Sequence, residues 1–151
     1  MAWQTAAGAS LAISTVSGPP ATFDETGYSA LVYTEIGEIT NIGDFGKEFA
    51  LVTHQPLSSR GVEKGKGSFN NGTLNPTLAI DPEDAGQVLL EAALESDDSY
   101  AFRVTFQDGS ESYMMGKTMS FRKTVGGVDD VVTANPTIEL SSDPIVFVAA
   151  V

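Results

Sequence analysis

The chain has 151 residues, no cysteine and a formal net charge of −12, with eight Lys and Arg residues against twenty Asp and Glu residues. This length fits one domain with a core of its own, and the absence of thiols excludes disulfides, thiolate catalysis and cysteine-ligated metals. The acidic excess argues against a protein that collects nucleic-acid phosphates.

A membrane partner is also not expected. No stretch approaches the roughly 18 uninterrupted apolar residues of a spanning helix. Lys47 is the first basic residue, so the positively charged start of a signal peptide is missing. We therefore expect synthesis in a cytosol.

The first part of the chain predicts an arm followed by strands. Residues 1–27 are rich in Ala, Ser, Thr, Gly and Pro, and Gly18-Pro19-Pro20 favours an extended turn. We predict an N-terminal arm there. Apolar and polar residues then alternate over residues 29–33 and 35–42, which predicts strands with one face in a core.

Periodicity is lost in the Gly-rich segment 43–72, which holds half of the basic residues: Lys47, Arg60, Lys64 and Lys66. The segment also carries three Phe residues, which disordered linkers seldom contain because exposed aromatic side chains reduce solubility. Long excursions in compact domains usually indicate disorder or a binding loop. We therefore predict a loop or long hairpin that buries its apolar side chains against another chain.

One helix is predicted over residues 82–95, after a further strand at 73–80 in which Pro76 indicates an edge or an irregular start. Asp81 can cap this helix, and Pro82 suits its first position. Apolar residues follow at the spacing of one buried face: Ala85, Val88, Leu89, Ala92 and Ala93.

The rest of the chain predicts strands. Residues 100–106 and 111–115 alternate on either side of Asp108-Gly109, which predicts a hairpin. Further strands are predicted at 118–123, with Gly116 permitting a bend before it, and at 130–140, where Asn135-Pro136 interrupts the strand.

The chain ends on a run of seven apolar residues, 145–151. The run is too short for a membrane helix, so we expect a buried strand or cover from a neighbouring subunit. The pattern as a whole predicts a single, mainly β domain.

No group of residues makes a convincing catalytic or metal site. His54 is the only imidazole, and a polar loop favours a surface or interface role for it. Without Cys or a second His, a metal would need oxygen ligands, and neither Asp97-Asp98 nor Asp129-Asp130 has the spacing of a calcium loop. We predict no enzymatic activity, no cofactor and no metal.

The order of the elements carries a family resemblance. A Gly/Ala/Ser-rich arm is followed by residues 28–41 with the core Glu35-Ile36-Gly37-Glu38-Ile39, a long Gly-rich loop with Phe49, a helix that begins with Asp-Pro-Glu, the hairpin 100–115, and the closing Asn135-Pro136-Thr137-Ile138-Glu139-Leu140. Over nearly the whole chain, this order resembles the major tail tube proteins of long, non-contractile-tailed (siphovirus-like) bacteriophages.

The resemblance implies a β-sandwich or half-barrel with one flanking α-helix, a long inter-strand loop and extended terminal arms. It implies hexameric rings whose strands join into a barrel and which stack into a hollow tube. Double-stranded DNA would pass through the tube as non-adhering cargo. The implied partners are further copies of the chain and the tape measure, tail terminator and distal tail proteins, in a virion tail made in the host bacterial cytoplasm.

In that family the long loop and the arms make the contacts between subunits and rings, which corresponds here to residues 43–72, 1–27 and 144–151. We accordingly predict contacts at Phe45, Lys47, Phe49, Leu51, Arg60, Lys64, Lys66, Phe69, Ile145 and Phe147. The bases of 43–72 either lie in a solvated loop or meet an acidic patch on the next ring.

The negative charge has two interpretations. An acidic lumen would repel phosphates within a Debye length of about 8–10 Å, so that DNA slides without sticking. The acidity could also serve solubility alone. Two other functions stay open: a tail-completion or head-decoration protein with a similar sandwich, and a carbohydrate- or protein-binding β-sandwich module.

Overall fold

Strands dominate the structure, a computed structural model that describes residues 3–150. The strands are β1 (Ser10–Ser17), β2 (Tyr33–Ile36), β3 (Ile39–Asn41), β4 (Glu48–His54), β5 (Glu63–Asn70), β6 (Thr73–Leu74), β7 (Thr77–Ala79), β8 (Tyr100–Thr105), β9 (Glu111–Thr124), β10 (Thr133–Leu140) and β11 (Val146–Val148). The helices are α1 (Glu25–Ser29) and α2 (Ala85–Leu94). The predicted mainly β fold is confirmed, with two helices in the described residues where one was expected. None of these helices is long and apolar enough to span a membrane.

Nine of the strands form one antiparallel sheet in the order β2-β1-β8-β9-β10-β7-β3, with β11 beside β9 and β6 beside β10. The 14-residue strand β9 is shared between two layers, because residues 111–116 pair with β8 and residues 116–124 pair with β10. Sheet I is the layer of β2, β1, β8, the first half of β9, and β11. Sheet II is the layer of the second half of β9, β10, β6, β7 and β3.

The two layers are joined by a short corner. Only Gly37 and Glu38 separate β2 of sheet I from β3 of sheet II, a span of at most about 11 Å. Glu38 has a φ of 60°, the left-handed conformation that such a sharp turn requires. Sheet II must therefore fold back onto sheet I, which confirms the predicted sandwich or half-barrel.

The main core lies between the layers. Its fully buried side chains include Leu11, Ile13, Phe102, Met114 and Ile138 from the strands, with Leu90 from α2. Strand β10 shows the alternation that this packing demands, because every second residue from Ala134 to Leu140 is buried and the residues between them face outward.

A second core covers the outer face of sheet I. Tyr28 of α1, Tyr33 and Tyr113, here termed the tyrosine cluster, pack there with Ala101 and Met115. The ring centres of Tyr28 and Tyr113 lie 5.4 Å apart. Burial raises the pKa of both hydroxyls to about 12 and also raises the pKa of Tyr33.

The prediction of an arm over residues 1–27 is wrong for β1. This strand lies between β2 and β8, and Leu11 and Ile13 are fully buried. Sheet I is covered on both faces, so Ala12 and Ser14 are buried as well and no apolar–polar alternation marks the strand. Residues 1 and 2 of the predicted arm lie outside the described residues, as does residue 151 of the predicted terminal strand.

Helix α1 replaces the start of the strand predicted at 29–33. Asp24 caps the helix, since its carboxylate accepts a hydrogen bond from the Gly27 N–H at 2.8 Å. This bond lowers the pKa of Asp24. Tyr28 thereby points into the second core, and the strand itself begins only at Tyr33.

Helix α2 begins three residues later than predicted, and its cap is Asp84 where Asp81 was expected. Asp84 accepts hydrogen bonds from the backbone N–H of Gln87 at 2.9 Å and of Gly37 at 3.0 Å. The predicted buried face is right for Ala93, which is in the main core, and for Leu89, which packs against it. It is wrong for Val88, which is 55% exposed, and it left out Gln87, which is buried.

The side chain of Gln87 explains that difference. Its amide donates to the carbonyl oxygens of Gly37 and Ala79 at 3.0 and 2.9 Å, and it accepts from the Asp81 N–H at 3.0 Å. The Gln87 side chain thus links α2 to the corner at Gly37 and to the end of β7 at Ala79. Gly86 lets the helix approach this corner, since a Cβ there would overlap the backbone of β2.

Strand β9 runs through Gly116 without a break, and this residue lies where the strand passes from sheet I to sheet II. Gly116 serves packing, because a Cβ at this position would lie 2.8 Å from the Ile138 side chain. The strands predicted at 73–80 and 130–140 are shorter, and the interruption predicted at Asn135-Pro136 is wrong because β10 runs through both residues. The pairs on either side of the gap between β6 and β7 place Pro136 opposite Pro76. The chain end is in part the predicted strand, since β11 pairs with β9.

Candidate interaction surface

Segment 43–72 forms a hairpin that extends from the body of the protein. Strands β4 and β5 pair antiparallel in a sheet of their own, from Glu48 opposite Asn70 to His54 opposite Glu63. All their residues but Gly67 are exposed. A two-stranded hairpin without a packed face is marginally stable alone, so this element is expected to gain order from a partner.

The register of the hairpin sorts its charges. One face of the hairpin, here termed the cationic face, carries three lysines, Lys47, Lys64 and Lys66. It also carries three apolar side chains and one threonine: Phe49, Leu51, Phe69 and Thr53. Both carboxylates, Glu48 and Glu63, lie on the opposite face with His54. Sequence alone gives only the net charge of this segment, whereas the register gives a face with bases and no acid.

Aromatic rings hold two of the lysines in place. The Lys47 ammonium lies 4.5 Å from the ring centre of Phe69, and the Lys66 ammonium lies 4.9 Å from that of Phe49. Such contacts are worth about 0.5–1 kcal/mol at exposed sites. Within residues 3–150 neither lysine forms an ion pair, so both ammoniums remain available to carboxylates of a partner.

The rings themselves are incompletely covered. Phe49 and Phe69 are each 41% exposed, and Leu51 between the lysines is more exposed still. Burying such side chains is worth roughly 25 cal/mol per Å² of apolar area. The cationic face therefore offers both charge and apolar area to a partner surface.

The other predicted contact residues fall in three places. Phe45 and Ile145 are half-buried against the main core, which makes them anchors of their loops in the monomer. Phe147 on β11 is 62% exposed. Arg60 lies at the hairpin tip beside the fully exposed Leu57. The hairpin thus gathers seven of the ten predicted residues, and the contact role of all ten stays a prediction.

The sequence analysis missed a second exposed surface, the loop at residues 125–132 between β9 and β10, here termed the valine loop. Val125, Val128 and Val131 are each at least 68% exposed. Asp130 shapes the turn by accepting a hydrogen bond from the Gly127 N–H at 2.9 Å. The sequence carries a signal for this surface, because the valines alternate with the turn-forming pairs Gly126-Gly127 and Asp129-Asp130. Turns lie on the surface, so apolar side chains within a turn are exposed.

The hairpin and the valine loop lie at opposite ends of sheet II. At the hairpin end, the Leu140 N–H bonds the Gly72 carbonyl, and the hairpin stems meet where the Gly46 N–H bonds the Asn71 carbonyl. At the other end, the Ile80 N–H bonds the Val132 carbonyl. The eight residues of β10 separate the two ends by about 25 Å.

Sheet II also has an open outer face and two open edges. Within the described residues, neither β3 nor the second half of β9 has a second neighbouring strand. The outer face carries mainly hydroxyl and amide side chains, joined by hydrogen bonds such as Thr77 to Asn135 at 2.9 Å and Thr137 to Asn75 at 3.1 Å.

The structure offers no assembled chemical site in its described part. No group of three potential metal ligands was found among residues 3–150. A groove of about 300 Å³ lies beside β3, and its lining, which includes Ile39, Phe45 and Phe106, contains no titratable side chain. The hairpin surface is therefore the best candidate for function.

Comparison with known proteins identifies solved structures of similar fold. No family model and no curated protein matches the sequence. A chain of the anti-feeding prophage baseplate matches with a TM-score of 0.68 at 7% identity, over 96% of this chain and 97% of that one. The SPP1 tail tube matches with a TM-score of 0.60 at 12% identity, over 95% and 77%. The sheath/tube terminator of the PVC extracellular contractile injection system matches with a TM-score of 0.61 at 8% identity, over 99% of each chain.

The chain has the fold of tail-tube and tube-associated subunits. At these identities the likeness concerns the fold alone, and membership of the siphovirus family stays a prediction.

Proposed function

We propose that this protein is the structural subunit of a phage tail tube, in which hexameric rings stack into a hollow conduit for double-stranded DNA. The observation that carries the proposal is the exposed hairpin, whose cationic face a single copy leaves unburied. The fold shared with the SPP1 tail tube supports it. The partners are other copies of the chain and, at the ends of the tube, the tape measure, terminator and distal tail proteins.

The open edges of sheet II support assembly into a ring. The two edges, β3 and the second half of β9, are different surfaces, and contacts between unlike surfaces generate rings when the rotation closes. Their charges are complementary, because Lys117 and Arg122 lie on β9 while Glu35, Glu38 and Asp44 flank β3 without a base. Joining the edges would also remove the hazard of unpaired strand edges.

The position of the core indicates which face would line the tube. Sheet I and α2 pack on the core-facing side of sheet II. In a ring this bulk fits at the larger radius, away from the axis. The outer face of sheet II would then line the lumen. Its charged residues are two bases, Lys117 and Arg122, and one carboxylate, Glu139.

This face has two bases against one carboxylate, so the proposed lumen differs from the acidic one that the resemblance implied. We propose that the wall is mainly hydroxyl and amide, and that Glu139, the cross-strand partner of Lys117, offsets one of its two bases. A duplex on the axis would then slide without adhering.

A terminator or baseplate ring is the second candidate, since those neighbours match over nearly their whole chains. Such a ring needs a binding surface on one end. This chain exposes apolar side chains at both ends of sheet II, on the hairpin and on the valine loop. Contacts at both ends favour a subunit that stacks repeatedly.

Deletion of the hairpin tests the proposal. Replacing residues 47–66 with a short Gly-Ser turn should leave the body folded, because the hairpin contributes nothing to either core. We expect the full chain to form hollow tubes by negative-stain microscopy and the deletion variant to stop at rings or monomers. His54→Ala, on the face opposite to the lysines, serves as the control and should keep the tubes.

Two results would count against the proposal. If the deletion variant still forms tubes, the hairpin does not make the stacking contact. A full-length chain that stays monomeric at high concentration would refute the tube itself.

A further inference from the structure

We propose that the tip of the hairpin of one copy docks onto the valine loop of a second copy. The inference rests on the proposed tube and names the two surfaces that would join its rings. It assigns a role to the valine loop, whose valines pack in neither core.

The valine loop has the exposure of a contact surface. Its four valines belong to neither core, and Val128 is fully exposed. Contiguous apolar patches on soluble proteins commonly mark interaction sites. Four such side chains in eight residues are costly to leave in water.

The hairpin tip is its chemical complement. Leu57 and Val62 are exposed there, Arg60 lies between them, and residues 55–62 contain no carboxylate. The valine loop carries Asp129-Asp130, and the chain has no base from residue 124 to its end. Apolar side chains flanked by opposite charges on the two surfaces give both contact area and a fixed register.

The fold places the two surfaces for head-to-tail stacking. They lie at opposite ends of sheet II, about 25 Å apart along β10. The hairpin strands are exposed and do not pack on sheet II, so the hairpin does not cover the valine loop of its own chain. Because the contact joins unlike surfaces without closing, it produces an open-ended stack.

The turn after α2 is the competing acidic surface. It carries Asp97-Asp98, which are also exposed, and it contains no basic residue. Residues 95–99, which form this turn, include no exposed large apolar side chain. The valine loop is favoured because it offers both the charge and the apolar area.

Charge reversal separates the two acidic surfaces. We expect Asp129→Lys with Asp130→Lys to raise the critical concentration for tube formation about tenfold or more, because like charges would then face each other. Asp97→Lys with Asp98→Lys makes the same change in net charge and should have little effect. Adding Arg60→Glu and Lys64→Glu to the first variant should restore assembly by inverting the contact.

Equal effects of the two aspartate pairs would overturn the inference, as would a failure of the inverted contact to assemble. If the wild-type chain forms tubes in the same experiment, the proposed function survives that result. If the wild-type chain forms no tubes, both proposals fail together. Circular dichroism and thermal melting of each variant check that the body remains folded.

Disulfide trapping gives an independent readout, because the chain has no cysteine of its own. A chain with Leu57→Cys and Val128→Cys should form a ladder of covalent oligomers under oxidation in assembled samples. The control pairs Leu57→Cys with Val32→Cys, an exposed position before β2 that should not cross-link. A ladder from the control alone would contradict the docking.

Discussion

Replacing Gln87 with Met tests whether one polar side chain holds the two layers of the fold together. Gln87 is only 2% exposed and its amide makes three hydrogen bonds, to the carbonyls of Gly37 and Ala79 and from the Asp81 N–H. Met has a similar length and fills the same space, so the substitution removes the bonds without opening a large cavity.

The expected loss can be worked from these contacts. A hydrogen bond of this kind contributes about 1 kcal/mol net, so three contribute about 3 kcal/mol, and partners left unsatisfied add to the loss. The extra apolar burial of Met returns about 1 kcal/mol. The net loss in the free energy of unfolding is therefore about 2–3 kcal/mol. In a chain of this size it lowers the melting temperature by about 5–10 °C.

Thermal and urea unfolding of Gln87→Met against the wild type measure the effect. Gln107→Met is the matched control, since Gln107 is exposed in the turn between β8 and β9. We expect the control to melt within about 1 °C of the wild type, as surface substitutions usually do. Equal melting temperatures for the two variants would refute the role given to the buried amide.

Two further predictions concern capping and pH. Asp84→Ala should cost about 1–2 kcal/mol of stability in chemical unfolding and Asp81→Ala clearly less, because Asp84 caps α2 and also holds Gly37; equal losses would favour the cap predicted from sequence. The tyrosine cluster has raised pKa values, so folding favours its neutral hydroxyls. This contribution is fully present below pH 10 and is lost as the pH rises towards about 12. Absorbance at the tyrosinate band, followed with the melting temperature, should show ionisation and destabilisation together, and Tyr113→Phe should weaken the dependence.

The elements that sequence predicted well are those with one face in a core and one in water. The hairpin of β8 and β9 has this alternation and a clear Asp-Gly turn, and the helix near residue 90 has its start signals. Strand β1 was missed for the opposite reason. Leu11 and Ile13 lie in the main core, Ala12 and Ser14 on the other face are buried as well, and no periodicity survives in a strand buried on both sides.

The errors at α2 have a different origin. Asp81 and Asp84 are equally plausible caps by residue type, and only the contact with Gly37, which is 47 residues away in the chain, selects Asp84. Gln87 was left off the buried face because it is polar, yet its burial is possible once three backbone partners surround it. Long-range contacts of this kind carry no local signature.

The candidate surface was predictable in its location and not in its chemistry. The three Phe residues and the bases of segment 43–72 indicated a contact region. The pairing register, which shifts near Leu51, places Lys47, Lys64 and Lys66 on one face. It places Glu48 and Glu63 on the other face. A one-residue slip moves side chains to the opposite face, so charge sorting is known only with the pairing.

The outer face of sheet II shows how a conduit can be polar without being adhesive. Pro136 opposite Pro76 removes backbone N–H donors from the middle of the ladder, and side chains bridge the strands there instead. The hydroxyls of Thr73, Thr77 and Thr137 each donate to a neighbouring side chain, with Glu139 as the acceptor for the first. Donors already used within the wall have little to offer to passing phosphates. If this face lines the tube as proposed, low adhesion follows from the satisfied hydrogen bonds of the wall and from Glu139, which lies opposite Lys117.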